Sequence, residues 1–326
     1  MAIKSIEIKN FTVFHNMKCD FSPGINVFIG ENGTGKTHLL KLMFGGNLLH
    51  SEERLISMNE LFGWSGVRGC TLNVNGNAFP WTDIFVATEP NTLTTVQPET
   101  QVNMTMDSKG STVFIPAKEV LSMSNITRVA DEYKSSLSLD ATLTNIIEKA
   151  RRMLPDTHPD FALHVASKLE NAIQGKVHYD DKSGTFWMYK NNGKKNTFRC
   201  ESEGFNKLGL LWQLVMNKSI KEGTILLWDE PEANLNPKLI PVIVDILLEL
   251  SRNGVQIFLA SHDYVFAKYF EVRDEDSGQI CFHSLYKSDQ WVVCESNANF
   301  RDLTNNPIIS AFDILMDEVL YKNMGD

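Results

Sequence analysis

The sequence of 326 residues lacks any C-x-x-C pair. Its five cysteines are scattered along the chain: Cys19, Cys70, Cys200, Cys281 and Cys294. An odd number of unclustered cysteines argues against a disulfide framework and against a zinc site, and it is typical of a protein in a reducing cytosol. We therefore expect a cytoplasmic protein whose fold does not depend on disulfide bonds or on a zinc site.

Long apolar runs and excess positive charge are also missing. The longest apolar candidate, residues 239–250, is interrupted by Pro241, Asp245 and Glu249, so the sequence predicts no membrane span. The net charge is −9. Proteins that bind along a nucleic-acid backbone usually present a positive face, which here could only be local. The candidate basic positions are Arg151-Arg152, Lys182 and Lys194-Lys195.

Residues 30–37 carry the strongest signal, Gly-Glu-Asn-Gly-Thr-Gly-Lys-Thr, which fits the phosphate-loop pattern G-x-x-x-x-G-K-[ST]. The apolar run Ile25–Ile29 predicts a buried strand before the loop. The pattern Leu39–Phe44 predicts a helix after it, which should stop at Gly45-Gly46. A strand, a glycine loop and a helix in this order direct backbone N–H groups at phosphate oxygens. The sequence therefore predicts a nucleoside triphosphate site.

Each position of this loop has an expected role. Lys36 places a positive charge on the β- and γ-phosphates, and the Thr37 hydroxyl binds Mg²⁺. The remaining expected contacts with the bound nucleotide are Asn32, Gly33, Thr34 and Gly35.

Two further buried strands are expected to end at the same site. Thr224–Trp228 is followed by Asp229, which can reach the Mg²⁺, and by Glu230, which can accept a proton from an attacking water. The alternative is that this acidic pair only caps a turn. Val255–Ala260 leads to His262, which can donate a hydrogen bond to the γ-phosphate at the carboxyl end of its strand.

A helix that begins near residue 203 offers a second anion site. Ser202 suits the N-cap position, and Gly204 lets a phosphate approach the backbone closely. Taken alone, these residues describe only a capped helix.

The rest of the chain separates into β-rich and helical blocks. Strands are predicted at 3–9, 70–74, 81–87, 102–106, 112–115, 176–179, 185–189, 196–200, 279–286 and 290–294. A short hairpin region is expected at 15–23, a loop at 88–100 and mostly helix over 126–174. Turns are expected at Asn75-Gly76, Lys109-Gly110 and Asn192-Gly193. The apolar face of a terminal helix, 308–321, is more typical of core packing than of a partner site; its residues are Ile309, Phe312, Leu315, Met316 and Val319.

The order of these motifs resembles that of ABC-type ATPases, and more closely the RecF/SMC/OLD branch. The resemblance rests on Asn10-Phe11, on Phe21–Asn26 and on the phosphate loop. Residues 114–122 and 228–237 are similar to small ATPase subunits of bacterial anti-phage systems, namely OLD-like, Septu-like and PARIS-like ones. The resemblance implies an α/β fold, an ABC-type P-loop ATPase head with a mixed β-sheet core, an antiparallel β subdomain and an α/β insertion. It divides the chain into an N-terminal lobe (1–124), an insertion (125–200) and a C-terminal lobe (201–326).

The resemblance also implies roles for the site residues. ATP and Mg²⁺ would be the ligands, held by Lys36, Thr37 and Asp229. Glu230 would be the catalytic base, and His262 would sense the γ-phosphate. Ser202 and Gly204 would contact the ATP of a second protomer, together with the turn at 234–236. Residues after Asn10-Phe11 would lie near the adenine. Glu119 falls where the family has a glutamine, and Ser202-Glu203-Gly204 differs from the Ser-Gly-Gly of transporters.

Four functions follow from this pattern. The preferred one is an ATP-driven switch that forms a homodimer or higher oligomer through ATP and controls a separate effector protein, such as a nuclease, in anti-phage defence. The second is a RecF-like repair ATPase that binds DNA itself, which the acidic charge disfavours. The third is a transporter subunit, disfavoured by the long separation of Thr37 and Ser202. The fourth is a structural ATP clamp, disfavoured by the intact Glu230. Residues 125–200 could dock a partner or form a helical lid.

Overall fold

The computed structural model describes residues 2–50, 56, 58–62, 70–81, 100–107, 110–123, 140–274 and 278–324. The strands in this part of the chain are β1 (Ile3–Phe11), β2 (Phe14–Asp20), β3 (Ile25–Ile29), β4 (Cys70–Val74), β5 (Asn77–Trp81), β6 (Thr100–Met106), β7 (Thr112–Ile115), β8 (Gly175–Asp180), β9 (Thr185–Lys190), β10 (Lys195–Thr197), β11 (Ile225–Asp229), β12 (Gln256–Ser261), β13 (Ile280–Ser288) and β14 (Trp291–Asn297). The α-helices are α1 (Lys36–His50), α2 (Met58–Phe62), α3 (Ala141–Ala150), α4 (Asp160–Ile173), α5 (Glu203–Met216), α6 (Ile240–Arg252), α7 (Tyr264–Arg273) and α8 (Pro307–Met324).

These strands form three sheets within the described residues. The central sheet has the order β14-β13-β3-β12-β11-β7, and all its strands are parallel except β14. A second sheet, β2-β1-β6-β4-β5, is antiparallel apart from the β4–β6 pair. The third, β10-β9-β8, is antiparallel. The expected mixed core and antiparallel subdomain are therefore confirmed.

The central sheet is buried on both faces. Along β3, Ile25, Val27 and Ile29 enter one core together with α3–α6, whereas Phe28 enters a second core with α1 and the antiparallel sheet. Alternate residues of β11 and β12 divide between the same two cores. This double burial explains the uninterrupted apolar runs in the sequence. It also places the carboxyl ends of β3, β11 and β12 at one edge of the sheet.

Several expected elements have different limits. Helix α1 does not stop at Gly45-Gly46 but continues to His50. A Cβ on Gly46 would lie 2.6 Å from Cε of Met104, so this glycine allows α1 to pack closely on β6. Most of the hairpin region expected at 15–23 is the strand β2. The hairpin expected at Lys109-Gly110 is wrong, because β6 and β7 belong to different sheets.

Other expectations agree with the structure. The turn at Asn75-Gly76 joins β4 to β5, and both residues have positive φ. The turn at Asn192-Gly193 precedes β10. The block 140–200 contains α3, α4 and the small sheet, whose apolar side chains share the core of α5. The strand expected at 82–87, the loop at 88–99 and the helix at 126–139 lie outside the described residues.

The terminal helix α8 is present, but the expected packing of its apolar face holds only for the part nearest its start. Leu315, Met316 and Val319 are 52%, 42% and 43% exposed. Ile309 and Phe312 are the exceptions: Ile309 packs against the main core, and the Phe312 ring stacks on Tyr264 at 4.1 Å between centroids. Among the described helices, none is both long and apolar enough to cross a membrane.

Candidate nucleotide site

The loop at residues 30–35 joins β3 to α1 and depends on its glycines. Gly33 and Gly35 have φ of 80° and 85°, a conformation that favours glycine. A Cβ on Gly35 would lie 2.6 Å from Cζ of Phe14, whereas nothing lies within 4 Å of a Cβ on Gly33. Gly35 therefore packs tightly against Phe14, whereas Gly33 faces open space. Thr34 is buried and donates a hydrogen bond of 2.9 Å from Oγ1 to the carbonyl oxygen of Glu31.

The ammonium group of Lys36 lies across this loop. Its Nζ donates hydrogen bonds of 2.6 Å and 2.9 Å to the carbonyl oxygens of Gly30 and Glu31. Burial lowers the pKa of Lys36, and the carboxylates of Asp229 and Glu230 oppose that change. The side chain is thus a largely buried cation at the base of the loop, where an anion would be its natural partner.

Thr37 and Asp229 meet at the start of α1. Thr37 Oγ1 donates a hydrogen bond of 2.8 Å to Oδ2 of Asp229, the last residue of β11. Burial raises the pKa of the Asp229 carboxyl, while the bond from Thr37 lowers it. A hydroxyl and a carboxylate are hard oxygen ligands, the type that Mg²⁺ prefers. The donor set therefore fits the predicted magnesium site.

Glu230 and His262 face one another across the ends of β11 and β12. Nδ1 of His262 lies 3.4 Å from Oε1 of Glu230. Glu230 has a φ of 49°, which is uncommon for a residue other than glycine. Its N–H donates to the carbonyl oxygen of Ala260 at 2.9 Å, and Nζ of Lys207 donates to its carbonyl oxygen at 2.6 Å. These two bonds hold the strained backbone and direct the carboxylate.

Two neighbouring residues were not predicted as parts of the site. Lys207 is buried on α5, and burial lowers its pKa. Glu232 is buried and accepts hydrogen bonds on Oε1 from Ser261 Oγ at 2.7 Å and from the His262 N–H at 3.3 Å. Burial raises the pKa of Glu232. The one signal in the sequence is the motif Asp-Glu-Pro-Glu, which does not indicate that its last residue anchors His262.

A cavity of about 220 Å³ lies over the loop. Its lining includes most of the predicted phosphate and metal residues, with Val13 and His38 added: Val13, Asn32, Gly33, Gly35, Lys36, Thr37, His38, Asp229 and Glu230. A second cavity of about 450 Å³ borders Asn32 and His262 and reaches Phe312 and Leu315 of α8. The exposed terminal helix therefore lies beside the candidate site. Val13, which follows Asn10-Phe11 in the segment expected near the adenine, lines the first cavity.

Ser202 and Gly204 lie elsewhere. Ser202 caps α5, since its Oγ accepts a hydrogen bond of 3.3 Å from the N–H of Phe205. A Cβ on Gly204 would lie 3.0 Å from the carbonyl oxygen of Asn234, and the Asn234 amide donates to Glu203. The helix start and the turn at 234–236 therefore form one surface. Neither Ser202 nor Gly204 lines the cavity over the phosphate loop. Glu119 accepts a hydrogen bond from Ser122, and it does not line that cavity either.

Comparison with solved structures identifies the fold. The SMC head bound to the C-winged helix domain of ScpA superposes with a TM-score of 0.50 over 92% of this chain and 98% of that one, at 13% identity. The chain has the fold of an ABC/SMC-type ATPase head. The ADP conformation of an ATP-binding cassette of an ABC transporter is also similar, with a TM-score of 0.46, 14% identity, and coverage of 96% of this chain and 99% of that one.

Sequence comparisons agree with a P-loop ATPase head. Residues 118–267 match a family described as "AAA domain, putative AbiEii toxin, Type IV TA system", and residues 5–46 match a family described as "AAA domain". The DNA replication and repair protein RecF of Lactococcus lactis subsp. cremoris (strain MG1363) is 41% identical over 66 residues, 20% of this chain and 18% of that protein. RecF of Listeria welshimeri serovar 6b is 49% identical over 41 residues, 13% of this chain and 11% of that protein. This ATPase head thus matches less than a fifth of the length of either RecF.

Proposed function

We propose that this ATPase head binds ATP with Mg²⁺ over residues 30–37 and hydrolyses it to ADP and phosphate. The observation that carries the proposal is the 2.8 Å bond between Thr37 and Asp229. It brings together a loop hydroxyl and a strand-end carboxylate that are 192 positions apart in the chain. In a P-loop ATPase these are the two groups that hold the metal beside the phosphates.

Different residues of the site bind the phosphates and the metal ion. The backbone N–H groups of the loop and the start of α1 bind phosphate oxygens, with Asn32 and Gly33 on the open side. The Lys36 ammonium turns to the β- and γ-phosphates, where an anion replaces the carbonyl oxygens that it now contacts. Thr37 and Asp229 hold Mg²⁺. When bound, the ion offsets the negative charge that develops on the phosphate oxygens.

Hydrolysis needs a proton acceptor and a γ-phosphate contact. Glu230 accepts a proton from the water that attacks the γ-phosphorus, and the bond from that phosphorus to the bridging oxygen breaks. His262, 3.4 Å from Glu230, donates a hydrogen bond to the γ-phosphate. The buried Glu232 fixes the backbone at His262. The positions of both reacting groups are therefore set by strand ends rather than by free loops.

The start of α5 supports a role across a dimer. Ser202 and the turn at 234–236 form one surface, with Gly204 buried against that turn, and this surface is separate from the cavity over residues 30–37. A helix start with unpaired N–H groups suits an anion, and on this surface that anion is the triphosphate of a second protomer. We infer that two copies close around two ATP molecules, and that hydrolysis separates or rearranges them.

A separate effector completes the proposed switch. Support comes from two observations. One matched family is described as a toxin of a toxin–antitoxin system, a two-component arrangement. The exposed apolar side chains of α8, beside the nucleotide site, are of the kind that bind other proteins. We infer that ATP-dependent pairing controls this effector in bacterial anti-phage defence, as in the OLD-like, Septu-like and PARIS-like subunits.

The experiment uses Glu230→Gln, which removes the proton acceptor and should keep ATP bound. Light scattering after size-exclusion should give a dimer with ATP and Mg²⁺ and a monomer with ADP. Ser202→Asp in this background keeps an N-cap but repels phosphate, so the dimer should be lost. Ser183→Asp, at an exposed turn, is the matched control and should leave the dimer intact. A monomer in ATP for Glu230→Gln would refute the pairing, and a dimer for Ser202→Asp would refute the contact across it.

A RecF-like repair ATPase is the second candidate, favoured by the 41% identity over 66 residues to RecF. That similarity covers only a fifth of this chain, and the net charge of −9 opposes contact with a phosphate backbone. Lys195, one of the basic candidates, already has its ammonium 4.0 Å from the centre of the Trp187 ring. Tight, salt-dependent binding of DNA by the isolated chain would favour this function over the switch.

A further inference from the structure

Three side chains that are distant in sequence meet between the central and antiparallel sheets. They are Cys19 of β2, His283 of β13 and Cys294 of β14, and their Sγ and ring-nitrogen atoms lie within 4.8 Å of one another. Cys19 and His283 are buried, and Cys294 is partly buried. All the cysteines for which the structure describes a state are free thiols. The cluster is separate from the nucleotide site and takes no part in the proposed hydrolysis.

Strand register explains why these residues share one face. In the β13–β14 hairpin, His283 is opposite Ser296 and Leu285 is opposite Cys294, so His283 and Cys294 are diagonal neighbours. Cys281, two residues before His283 on the same strand, points to the same side of the sheet. Cys281 is partly buried there. This face thus carries two sulfur atoms and one imidazole, and Cys19 of β2 brings a third sulfur atom to it.

Asn26 determines which nitrogen of His283 can bind a ligand. The Asn26 amide donates from Nδ2 to the carbonyl oxygen of Ser22 at 2.9 Å, and its Oδ1 accepts from the Ser22 N–H at 2.8 Å. Oδ1 also lies 3.1 Å from His283 Nε2. Because this oxygen can only accept, Nε2 carries the proton. Nδ1 then has the lone pair and accepts a 2.7 Å hydrogen bond from the Ser296 hydroxyl, which a bound ion would replace.

We propose that Cys19, Cys281, His283 and Cys294 bind one Zn²⁺ ion. Three thiolates and one imidazole nitrogen are a ligand set of structural zinc sites. Metal-bound histidines also donate their second N–H to an oxygen, as Nε2 does here to Asn26. This ligand set contains no carboxylate and leaves no coordination position open to solvent. The site is therefore structural rather than catalytic.

For Cys19, His283 and Cys294 the geometry requires only small movements. Zinc–sulfur and zinc–nitrogen bonds of about 2.3 Å and about 2.0 Å in a tetrahedron place ligand atoms roughly 3.3–3.8 Å apart. The ligand atoms of Cys19, His283 and Cys294 lie within 4.8 Å of one another, somewhat farther apart than in such a tetrahedron. Rotation of a cysteine side chain about χ1 can close that difference. Each thiol that becomes a ligand releases its proton to solvent as the ion binds.

The site would add a link between two sheets that hydrogen bonds already join, such as the one from the Val292 N–H to the carbonyl oxygen of Val13. β2 belongs to the antiparallel sheet, whereas β13 and β14 form one edge of the central sheet. β13 also abuts the phosphate loop, because a Cβ on Gly30 would lie 2.3 Å from the carbonyl oxygen of Leu285. Bound zinc therefore fixes the strand against which the loop rests.

The test is the metal content of the full chain, purified without a histidine tag and reconstituted with zinc before gel filtration. Mass spectrometry of the metals should find about one zinc per chain. Replacement by Co²⁺ should give the absorption of a tetrahedral cobalt–thiolate centre. Cys294→Ser should lower zinc affinity by more than the roughly 10–100-fold that loss of an outer partner causes. Cys200→Ser, which changes an exposed free thiol, is the matched control and should bind zinc like the original chain.

Three results would overturn the proposal. The first is a reconstituted chain with no stoichiometric zinc and no cobalt–thiolate absorption. The second is stoichiometric iron or copper in place of zinc. The third is a Cys19–Cys294 disulfide in the intact mass under reducing purification. If Cys294→Ser does not fold, Cys281→Ser at a partly exposed position gives the same comparison, and unchanged zinc affinity there would remove Cys281 from the ligand set.

Discussion

The ammonium of Lys207 donates a 2.6 Å hydrogen bond to the backbone carbonyl oxygen of Glu230. This bond links the start of α5 to the proposed catalytic base. Since Ser202 and Gly204 begin the same helix, a partner that presses on that helix start can alter the position of Glu230 in the same protomer. Lys207 thus connects the proposed dimer surface with the proposed reacting groups.

Replacing Lys207 by methionine tests this link. The variant keeps the aliphatic stem but removes the bond that holds the Glu230 backbone at its φ of 49°. We expect kcat for ATP hydrolysis to fall roughly 10–100-fold with little change in ATP affinity, because a misplaced base affects chemistry more than binding. Lys221→Met, at an exposed position, is the control. Equal loss of kcat in both variants, or an unchanged kcat in Lys207→Met, would show that Lys207 has no positioning role.

Thr37→Val tests the metal site with nearly constant side-chain volume. The hydroxyl that now bonds Asp229 disappears, and with it one proposed Mg²⁺ ligand. We expect Mg²⁺-dependent hydrolysis to fall at least about 100-fold, because metal stabilisation of developing charge is worth several kcal/mol. Thr37→Ser, which restores the hydroxyl, should keep most of the activity. A Val variant with the rate and Mg²⁺ dependence of the Ser variant would exclude Thr37 as a ligand.

Glu232→Gln tests the buried carboxyl behind His262. Burial raises the pKa of Glu232 above its ordinary value of 4.5. A carboxyl with a raised pKa in the folded state binds its proton more tightly there than in the unfolded chain. Its contribution to stability is therefore present at low pH and is lost as the pH rises through the folded-state pKa. Glutamine does not titrate, so the unfolding free energy of the variant relative to the original should increase as the pH rises from about 4.5 towards neutrality.

Urea unfolding at a series of pH values measures this difference. Glu222→Gln, at an exposed position, is the control. A relative stability of Glu232→Gln that decreases as the pH rises would mean that the pKa of Glu232 is lowered instead.

Val319→Glu tests whether the apolar face of α8 is a partner surface. Val319 is 43% exposed, so the charge should change the unfolding free energy of the isolated chain by no more than about 0.5 kcal/mol. Co-purification of the effector from the native host should be lost, while ATP hydrolysis is kept. Asp317→Glu, an exposed conservative change on the same helix, is the control. A destabilisation of about 2 kcal/mol or more would instead support the core packing that the sequence indicates.

The nucleotide site is largely visible in the sequence because its parts are local. The phosphate loop is a contiguous motif, and Asp229, Glu230 and His262 each follow an apolar run whose double burial marks a central strand. Parallel strands then place these ends at one edge without further information. Glu232 and Lys207 were missed because their roles depend on contacts between elements, which no spacing in the sequence encodes.

Other features depended on packing that the sequence does not express. Gly45-Gly46 resembles a helix stop, but contact with Met104 makes Gly46 an interior residue of α1. The periodic apolar face of α8 gives no indication of whether another element covers it. The cysteine spacing argues against zinc, whereas the fold brings Cys19 and Cys294 together with His283. In each case the deciding contact joins residues that are far apart in the chain.

The most direct test of the central claim is calorimetric titration of Glu230→Gln with ATP and Mg²⁺. The claim is that residues 30–37 hold the triphosphate. We expect about one ATP bound per chain, and a loss of affinity of at least about 100-fold when Lys36→Ala is added, since a charge-assisted contact leaves a buried site. ATP binding of equal affinity with and without Lys36 would contradict the claim.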